Sequence, residues 1–338
     1  MAETVVITGG SAGIGRATAR AFAARGASVG LIARGPDRLA AARTELEAMG
    51  IRVHIIEADV ADAEAIDRAA DEIEAALGPI TVWVNNAMAT VYSPIAQMTA
   101  DEIRRVTEVT YLGTVNGTLA ALKRMKRGTI VQVSSVLAWR GMPVQGAYCG
   151  AKFATRGFTE ALRSELIHDR SPLHLTMVHL PAVNTPQFDW ARNKTGYQTN
   201  APSPYAPEVA ADAIVFATTH RRRDVYVGAS TPPAILVARL APSVLDRVLA
   251  TKAYSAQLSK VPAEPQDGNL FAPVPGTQAA DGRFTAQANT KRDITTSRQG
   301  DVLALGMLAL GAVTLSMLAR APATLGPALL ARALLRRR

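Results

Sequence analysis

Short apolar runs alternate with helical stretches along the chain up to about residue 230, and this alternation is the feature that most constrains the fold. Seven runs are apolar and short enough to be buried strands: residues 4–8, 29–33, 53–57, 80–87, 128–135, 173–181 and 225–229. The helical stretches between them are 14–25, 37–49, 63–77, 100–125, 147–168 and 207–219. Strands joined through helices need crossover connections, which produce a parallel sheet covered on both faces. The sequence therefore predicts an α/β fold with a doubly wound parallel sheet, and we assign it to residues 1–260.

The composition changes after about residue 260. Residues 261–300 are dense in proline, glycine and polar side chains, so we expect an extended or disordered linker. Residues 302–319 carry no charge, and as a helix they would span ~27 Å, near the lower limit for crossing a bilayer. We expect residues 301–338 to form an apolar helical tail with a basic C terminus. The tail is a candidate membrane anchor, with packing against the protein as the alternative.

The net charge of +9 does not indicate nucleic-acid binding, because five of the positive charges are arginines within residues 302–338, which contain no acid. That basic C terminus favours a hairpin or interfacial anchor, which keeps the tail and the domain on one side of the membrane. The single cysteine, Cys149, excludes an intramolecular disulfide and suits a reducing compartment. The N terminus lacks the regions of a secretory signal, and the histidines show no metal-ligand spacing. We expect no metal site and a cytoplasmic protein, free or attached to the cytoplasmic face of a membrane.

A glycine-rich turn, TGGSAGIG at residues 8–15, follows the first predicted strand directly. In a doubly wound sheet such a turn lets the backbone approach a diphosphate, which the N terminus of the next helix stabilises through its free N–H groups and dipole. Gly9, Gly13 and Gly15 occupy these positions. Taken alone, the glycines are also compatible with a purely structural turn.

A second motif combines Ser135, Tyr148 and Lys152. The tyrosine and the lysine are four residues apart on a predicted helix, so their side chains share one face. An ammonium near the phenol is expected to lower the tyrosine pKa towards the working range of a general acid or base. Ser135 lies at the carboxyl end of the fifth predicted strand and can hydrogen-bond the substrate oxygen that Tyr148 protonates.

These motifs together make the sequence resemble the short-chain dehydrogenase/reductase family over about residues 4–230. The matching features are TGGSAGIG, Asp59-Val60, the Asn-Asn-Ala turn at 85–87, Ser135 with Tyr148 and Lys152, and PAVNT at 181–185. The resemblance implies a Rossmann fold, a nicotinamide cofactor and interconversion of a carbonyl and an alcohol. The cofactor residues that it implies are Gly9, Ser11, Gly13, Ile14 and Gly15 at the diphosphate, Asp59 and Val60 at the adenine, Asn86 and Ala87 in the Asn-Asn-Ala turn, Tyr148 and Lys152 at the nicotinamide ribose, and Val183 and Thr185 at the carboxamide.

The chain departs from the family pattern at three positions. Met88 replaces the glycine that usually ends the Asn-Asn-Ala-Gly turn, and Pro181-Ala182 replaces a Pro-Gly pair. Thr110 aligns with an asparagine that the family often uses in a water-mediated proton relay. We therefore expect Thr110 to be a catalytic residue only if its hydroxyl serves that relay.

The end of the second predicted strand, GLIAR at 30–34, bears on the choice of cofactor. An acid there would accept hydrogen bonds from both ribose hydroxyls, whereas an arginine attracts a 2′-phosphate. Residues 31–36 contain no acid and include Arg34, with Arg16 as a candidate helper. We predict NADP, with NADPH preferred and NAD still possible. Solvated surface arginines are the alternative interpretation.

The loops expected around the nicotinamide contain mostly apolar side chains, namely Tyr92, Trp139, Met142, Val144, Gln145, Phe188 and Trp190. We predict an NADP-dependent oxidoreductase of a lipophilic small molecule, with Tyr148 as the general acid/base. The alternative is a non-catalytic NADP-binding sensor or scaffold on the same fold. The resemblance further implies a homodimer or homotetramer formed through the predicted helices 100–125 and 147–168.

Overall fold

The structure, a computed structural model, describes residues 3–297 and contains an eight-stranded central sheet. In chain order the strands of the protein are β1 (Thr4–Thr8), β2 (Ser28–Ala33), β3 (Val53–Glu57), β4 (Val82–Asn85), β5 (Val91–Tyr92), β6 (Gly128–Ser135), β7 (Leu173–Leu180), β8 (Arg192–Asn193), β9 (Tyr197–Thr199), β10 (Asp224–Val227), β11 (Leu258–Pro262) and β12 (Ile294–Thr296). The central sheet has the order β12-β10-β7-β6-β4-β1-β2-β3, and only the pairing of β12 with β10 is antiparallel. Two short pairs, β11 with β9 and β5 with β8, lie outside it.

Helices connect the parallel strands and cover the sheet. They are α1 (Gly13–Ala23), α2 (Pro36–Glu47), α3 (Ala63–Leu77), α4 (Ala100–Thr107), α5 (Gly113–Arg124), α6 (Gly146–His168), α7 (Gln187–Trp190), α8 (Pro207–Thr219), α9 (Thr231–Leu240), α10 (Pro242–Val248) and α11 (Tyr254–Ala256). The chain winds outwards from β1 first to β2 and β3 and later to β4, β6 and β7, so the strand order reverses beside β1. This arrangement confirms the predicted doubly wound α/β fold.

The residues at the centre of β1 are all apolar because successive side chains are buried on opposite faces of the sheet. Val5 and Ile7 join the core formed with α1, α2 and α8, where Phe22 is also buried, whereas Val6 joins the core on the opposite face beside Trp83. A central parallel strand is buried on both faces and needs apolar side chains at every position. The pattern read as a buried strand is therefore a consequence of the two-sided sheet.

The stretch predicted as one helix over 100–125 is divided into three parts. A capping box of Thr99 and Glu102 begins α4, and residues Glu108–Leu112 form a π-helical turn before α5 begins at Gly113. Gly113 lies against Val60, because a Cβ on this glycine would be 2.5 Å from Val60 Cγ2. The helix therefore passes directly behind the predicted adenine region.

The expected linker is where the fold differs most from the sequence interpretation. Residues 261–297 pack on the domain: β11 pairs with β9, β12 extends the central sheet, and the side chains of Leu270 and Ala280 are fully buried. Proline and glycine exclude regular helix here, but apolar anchors and backbone hydrogen bonds still fix the segment. The compact unit consequently ends at Ser297 and not at residue 260.

The predicted apolar tail, residues 301–338, lies outside the described residues. Between residues 3 and 297, the helices are all too short or too polar to span a bilayer.

Candidate active site

One cleft of about 500 Å³ opens at the carboxyl ends of the central strands, beside the point where the strand order reverses. Ligands of doubly wound proteins bind at this point, and the volume is that of a small-molecule site. The predicted site residues that line the cleft are Gly9, Ser11, Gly13, Ile14, Arg34, Asp59, Val60, Asn86, Ala87, Ser135, Tyr148, Lys152, Val183 and Thr185. The fold thus brings residues from six separate loops and strand ends to one cavity.

The glycine turn has a backbone that other residues rarely adopt. Gly9 and Gly13 have φ angles of +65° and +54°, which is the left-handed region that glycine tolerates. Gly15 lies behind the cleft, and a Cβ there would be 2.2 Å from the carbonyl oxygen of Gly9. No side chain caps the N terminus of α1. The turn therefore offers a close approach and the positive end of a helix dipole to an anion.

The Asn-Asn-Ala turn is fastened to the glycine turn through Thr8. The Thr8 hydroxyl accepts hydrogen bonds from the backbone N–H groups of Asn86 (3.0 Å) and Ala87 (3.2 Å). In return, the Asn86 side-chain amide donates to the carbonyl oxygens of Thr8 (3.1 Å) and Gly9 (3.2 Å). Met88, which stands where the family usually has glycine, lines the cleft beside this turn.

Ser135, Tyr148 and Lys152 meet at the inner end of the cleft. Ser135 is the last residue of β6, and its hydroxyl accepts a 3.1 Å hydrogen bond from the backbone N–H of Leu137. It lies close enough to Tyr148 to act on the pKa of that phenol. Lys152 Nζ lies 5.7 Å from the centre of the Tyr148 ring and donates a 2.7 Å hydrogen bond to the carbonyl oxygen of Val133. All three side chains are buried. The arrangement places a phenol, a hydroxyl and an ammonium around one point.

Burial controls the protonation of this group. It raises the pKa of Tyr148 above its ordinary value, and the nearby Ser135 hydroxyl opposes only part of that shift. Burial also lowers the pKa of Lys152 to about 8. The expected lowering of the Tyr148 pKa is therefore wrong for this structure, because desolvation of the phenolate by burial is the largest influence on that pKa. At neutral pH the phenol holds its proton and can donate it.

Arg34 lines the cleft together with Asp59 and Val60, and its guanidinium donates to the carbonyl oxygens of Asn269 (2.5 Å), Leu270 (3.3 Å) and Phe271 (3.3 Å). It is also 4.0 Å from the carboxylate of Asp59. Burial lowers the pKa of this guanidinium, and Asp59 opposes the shift. Backbone carbonyls orient the side chain without neutralising its charge, so the cation remains at the rim of the cleft.

A second arginine, Arg38, was missed by the sequence interpretation. It lies one turn after Arg34 and lines the cleft, with its guanidinium 4.5 Å from the centre of the Trp190 ring and bonded to the carbonyl oxygens of Val274 and Gly276. Its place in the first turn of the helix that directly follows Arg34 was the signal that could have found it. The expected helper Arg16 instead pairs with Glu45 at 2.5 Å.

Asp59 and Val60 border the same end of the cleft. The Asp59 carboxylate forms an ion pair with Arg105 and accepts a 3.0 Å hydrogen bond from the backbone N–H of Ala61. Arg34, Arg38 and Arg105 lie here together with three carboxylates, those of Asp59, Asp37 and Glu108. Of these residues, Arg34, Arg38 and Asp59 line the cleft itself.

Thr110 does not have the geometry of a proton relay, and this expectation needs correction. Its hydroxyl donates its only proton to the carbonyl oxygen of Ala89 (3.0 Å) and accepts a 3.0 Å bond from the Ala89 N–H. The side chain is fully buried in the π-helical turn, and Val109 lines the cleft beside it. Thr110 instead fixes the chain just after Met88.

The expected substrate pocket is partly rearranged. Tyr92, Met142, Gln145, Phe188 and Trp190 line the cleft, whereas Trp139 and Val144 do not. Trp139 lies between the guanidinium groups of Arg156 and Arg239. Val144 packs beneath Tyr92. Lining residues that sequence reasoning missed include Val109, Leu137, Ala253, Ala256 and Gln257. They come from segments whose position only the tertiary fold determines.

Comparisons with known proteins agree with this geometry. The family model described as short chain dehydrogenase matches residues 3–195. "Uncharacterized oxidoreductase YxnA" of Bacillus subtilis is 32% identical over 78% of this chain and 76% of its own length. "Dehydrogenase/reductase SDR family member 7B" of Bos taurus is 31% identical over 76% of this chain and 83% of its own. An X-ray structure of an alcohol dehydrogenase from the archaeon Thermococcus sibiricus, complexed with 5-hydroxy-NADP, has a TM-score of 0.59 and 26% identity, covering 67% of this chain and 96% of that one.

Proposed function

The chain belongs to the short-chain dehydrogenase/reductase family, and from this premise we propose that it is an NADPH-dependent reductase of lipophilic ketones or aldehydes with Tyr148 as its general acid. Members of this class are oxidoreductases that bind NAD(P) and act on CH–OH or C=O groups, and this chain is one of them. The preferred nucleotide, the substrate class and the role of Tyr148 are the proposal.

The meeting of Ser135, Tyr148 and Lys152, three buried side chains beside the carboxyl end of β6, is the observation that carries the proposal. When bound, the reduced nicotinamide supplies a hydride ion to the carbonyl carbon. Tyr148 gives its proton to the carbonyl oxygen, which the Ser135 hydroxyl also hydrogen-bonds, and the product is the alcohol. The resulting phenolate is stabilised by the Lys152 ammonium and regains a proton from solvent. With its raised pKa, Tyr148 holds its proton at neutral pH and so starts in the form that can donate to a carbonyl oxygen.

Preference for NADPH is supported by the charges at the adenosine end. Arg34 and Arg38 both lie at the rim of the cleft, and residues 31–36 contain no acid to bind the ribose hydroxyls. Two guanidinium groups suit a 2′-phosphate, which an acid would repel. Gly9, Ser11, Gly13 and Ile14 would hold the diphosphate, and Val183 and Thr185 would lie at the carboxamide.

A lipophilic substrate is supported by the other end of the cleft. Its lining there is mainly apolar, including Met88, Tyr92, Leu137, Met142 and Phe188. The amides of Gln145 and Gln257, which also line the cleft, are hydrogen-bonded to each other, and Gln187 is bonded to Asn269. A panel of lipophilic ketones and aldehydes, assayed by NADPH oxidation with the purified full-length protein, tests the proposal. Absence of turnover together with NADPH binding would favour the second candidate, a cofactor-binding sensor, which the bulk of Met88 beside the cofactor turn supports.

We also propose that the protein works in the cytoplasm, attached to an anionic membrane surface. The helices α9 and α10 expose apolar side chains, with Leu240 75% and Val244 63% accessible. Basic residues accompany them, and the acid Asp246 is paired with Arg140. The uncharged run at 302–319 and the five arginines near the C terminus would add to this attraction. Exposed Leu119, Phe153 and Ile167 on α5 and α6 support a homodimer or homotetramer through those helices.

A further inference from the structure

A segment that we call the strap, residues 266–285, runs along the outer rim of the cleft. Its contacts follow the order in which a dinucleotide would lie. The carbonyl oxygens of residues 269–271 accept bonds from Arg34 at the adenosine end. The carbonyl oxygen of Ala279 accepts a 3.0 Å bond from the N–H of Gly13 in the glycine turn. Near the proposed carboxamide residues, the N–H of Phe284 donates a 2.9 Å bond to the side chain of Asn184.

The strap also joins the two sides of the cleft to each other. The N–H of Asn269 donates a 2.7 Å bond to the carbonyl oxygen of Trp190, whose ring stacks on Arg38 from α2. The Asn269 side chain donates a 2.9 Å bond to Gln187 Oε1 in α7. The adenosine side and the loop beside the proposed substrate pocket are therefore connected in front of the cleft by one short piece of chain.

Buried side chains hold the strap in place. Leu270 is 0% exposed and packs in the core that contains Val60, and the carbonyl oxygen of this leucine accepts a 3.2 Å bond from Arg105. Ala280 is buried between Ala17 and Ala211. Phe271, the neighbour of Leu270, is 54% exposed and points away from these anchors. Anchoring thus depends on particular positions rather than on the whole segment.

The strap forms a wall of the cleft and does not fill it. Asn269 and Pro273 line the same cavity as the glycine turn and Lys152, and the cavity between them keeps its volume of about 500 Å³. The contacts from the strap to Arg34 and Arg38 are made by neutral carbonyl oxygens, so the strap itself adds no counter-charge to these arginines. The strap meets the glycine turn through one backbone hydrogen bond, which the N–H of Gly13 donates to the carbonyl oxygen of Ala279.

We propose that the strap is the outer wall of the nucleotide site, which closes over bound NADPH and must open before the nucleotide can leave. This inference rests on the proposed function, because it takes the cleft as the NADPH site. Enclosure slows exchange, since release then requires breaking the anchors of Leu270 and Ala280 as well as the contacts with the nucleotide.

The test compares two adjacent substitutions in the full-length protein. NADPH is bound, excess NADP⁺ is added, and release is followed by stopped-flow fluorescence. Leu270→Ala removes a buried anchor and should speed release by about tenfold or more, given the usual cost of a large-to-small substitution in a core. Phe271→Ala shortens an exposed side chain of the same strap and should leave the release rate within about twofold of the parent.

A second measurement does not depend on any variant. In the parent protein, amide hydrogen exchange of residues 268–285 should become slower when NADPH is added. Unchanged release in Leu270→Ala, or faster strap exchange with NADPH, would overturn the proposal, and tighter NADPH binding in Leu270→Ala would show a blocking segment instead. Failure of the parent to bind NADPH would reject the proposed function as well. NADPH binding without a change in the hydrogen exchange of residues 268–285 would reject the strap proposal and leave the proposed function standing.

Discussion

The guanidinium of Arg34 donates a 2.5 Å hydrogen bond to the carbonyl oxygen of Asn269, a residue 235 positions further along the chain. This contact joins the end of β2, where the adenosine of the cofactor would lie, to a segment that composition alone presents as a linker. It orients the guanidinium of Arg34 at the rim of the cleft. Because the carbonyl is neutral, it does not neutralise the charge of that guanidinium. A residue of the C-terminal segment therefore orients the arginine that we propose selects NADPH.

Arg34→Asp should narrow or reverse the preference for NADPH over NADH. Loss of a charge-assisted contact of about 1.5–3 kcal/mol should weaken NADPH roughly ten- to a hundredfold, while the new carboxylate can accept bonds from the ribose hydroxyls of NADH. The measurement is the ratio of the two dissociation constants by fluorescence titration. This ratio is informative because any loosening of the strap would weaken the binding of both nucleotides and so cancel in the ratio.

Arg43→Asp is the matched control, since Arg43 is an exposed arginine of α2 that pairs with Glu47. It should leave the ratio unchanged. Equal affinities of the parent protein for NADPH and NADH would reject the assigned preference.

Carbonyl reduction should slow as the pH rises through about 8. Burial lowers the pKa of Lys152 to about 8, so the ammonium is present below that pH and lost above it. Tyr148, with its raised pKa, keeps its proton across the same range. The loss therefore removes the charge that stabilises the phenolate, and kcat/KM at saturating NADPH should fall on the alkaline side.

Lys152→Arg is the companion variant, because a guanidinium stays protonated at these pH values. Its activity will be lower, but the alkaline decline should move to higher pH. A decline near pH 8 that is identical in parent and variant would assign the titration to another group.

Full-length protein should float with vesicles of phosphatidylcholine and phosphatidylglycerol, and high salt should not release it. Apolar burial is not screened, whereas the arginines contribute about 1 kcal/mol each through a salt-sensitive attraction. Leu240→Asp combined with Val244→Asp should weaken the association. Met49→Asp alters an apolar side chain that is 42% exposed just after α2, outside both proposed surfaces, and serves as the control. A well-defined oligomer that stays unbound would reject the membrane proposal.

The sequence predicts the sheet and the glycine turn well because both have local causes. Burial on both faces of the sheet explains the apolar residues Val5 to Ile7 at the centre of β1, and the positive φ angles of Gly9 and Gly13 need glycine. The meeting of Ser135 with Tyr148 also follows, since a strand end and the first turn of α6 lie at the same edge of the sheet.

Features that depend on distant parts of the chain were not predictable in this way. Proline and glycine in residues 261–297 exclude a helix but do not reveal that Leu270 is buried. The role expected of Thr110 failed because the π-helical turn directs its hydroxyl to Ala89. The direction of the Tyr148 pKa shift was misjudged because the neighbouring lysine is visible in the sequence and the desolvation is not.

The central claim is that Tyr148 donates the proton, and Tyr148→Phe tests it most directly. The variant loses one oxygen and keeps the ring, so NADPH should bind with nearly the parent affinity while turnover falls by about a hundred- to ten-thousandfold. Tyr92→Phe, which removes the hydroxyl of another tyrosine in the same cleft, should keep turnover within a few-fold of the parent. The decisive measurement is the single-turnover rate of NADPH oxidation with a saturating ketone, taken on all three proteins beside their NADPH dissociation constants. The account predicts a collapse of this rate in Tyr148→Phe alone with binding retained, and a Tyr148→Phe rate close to that of the parent would contradict it.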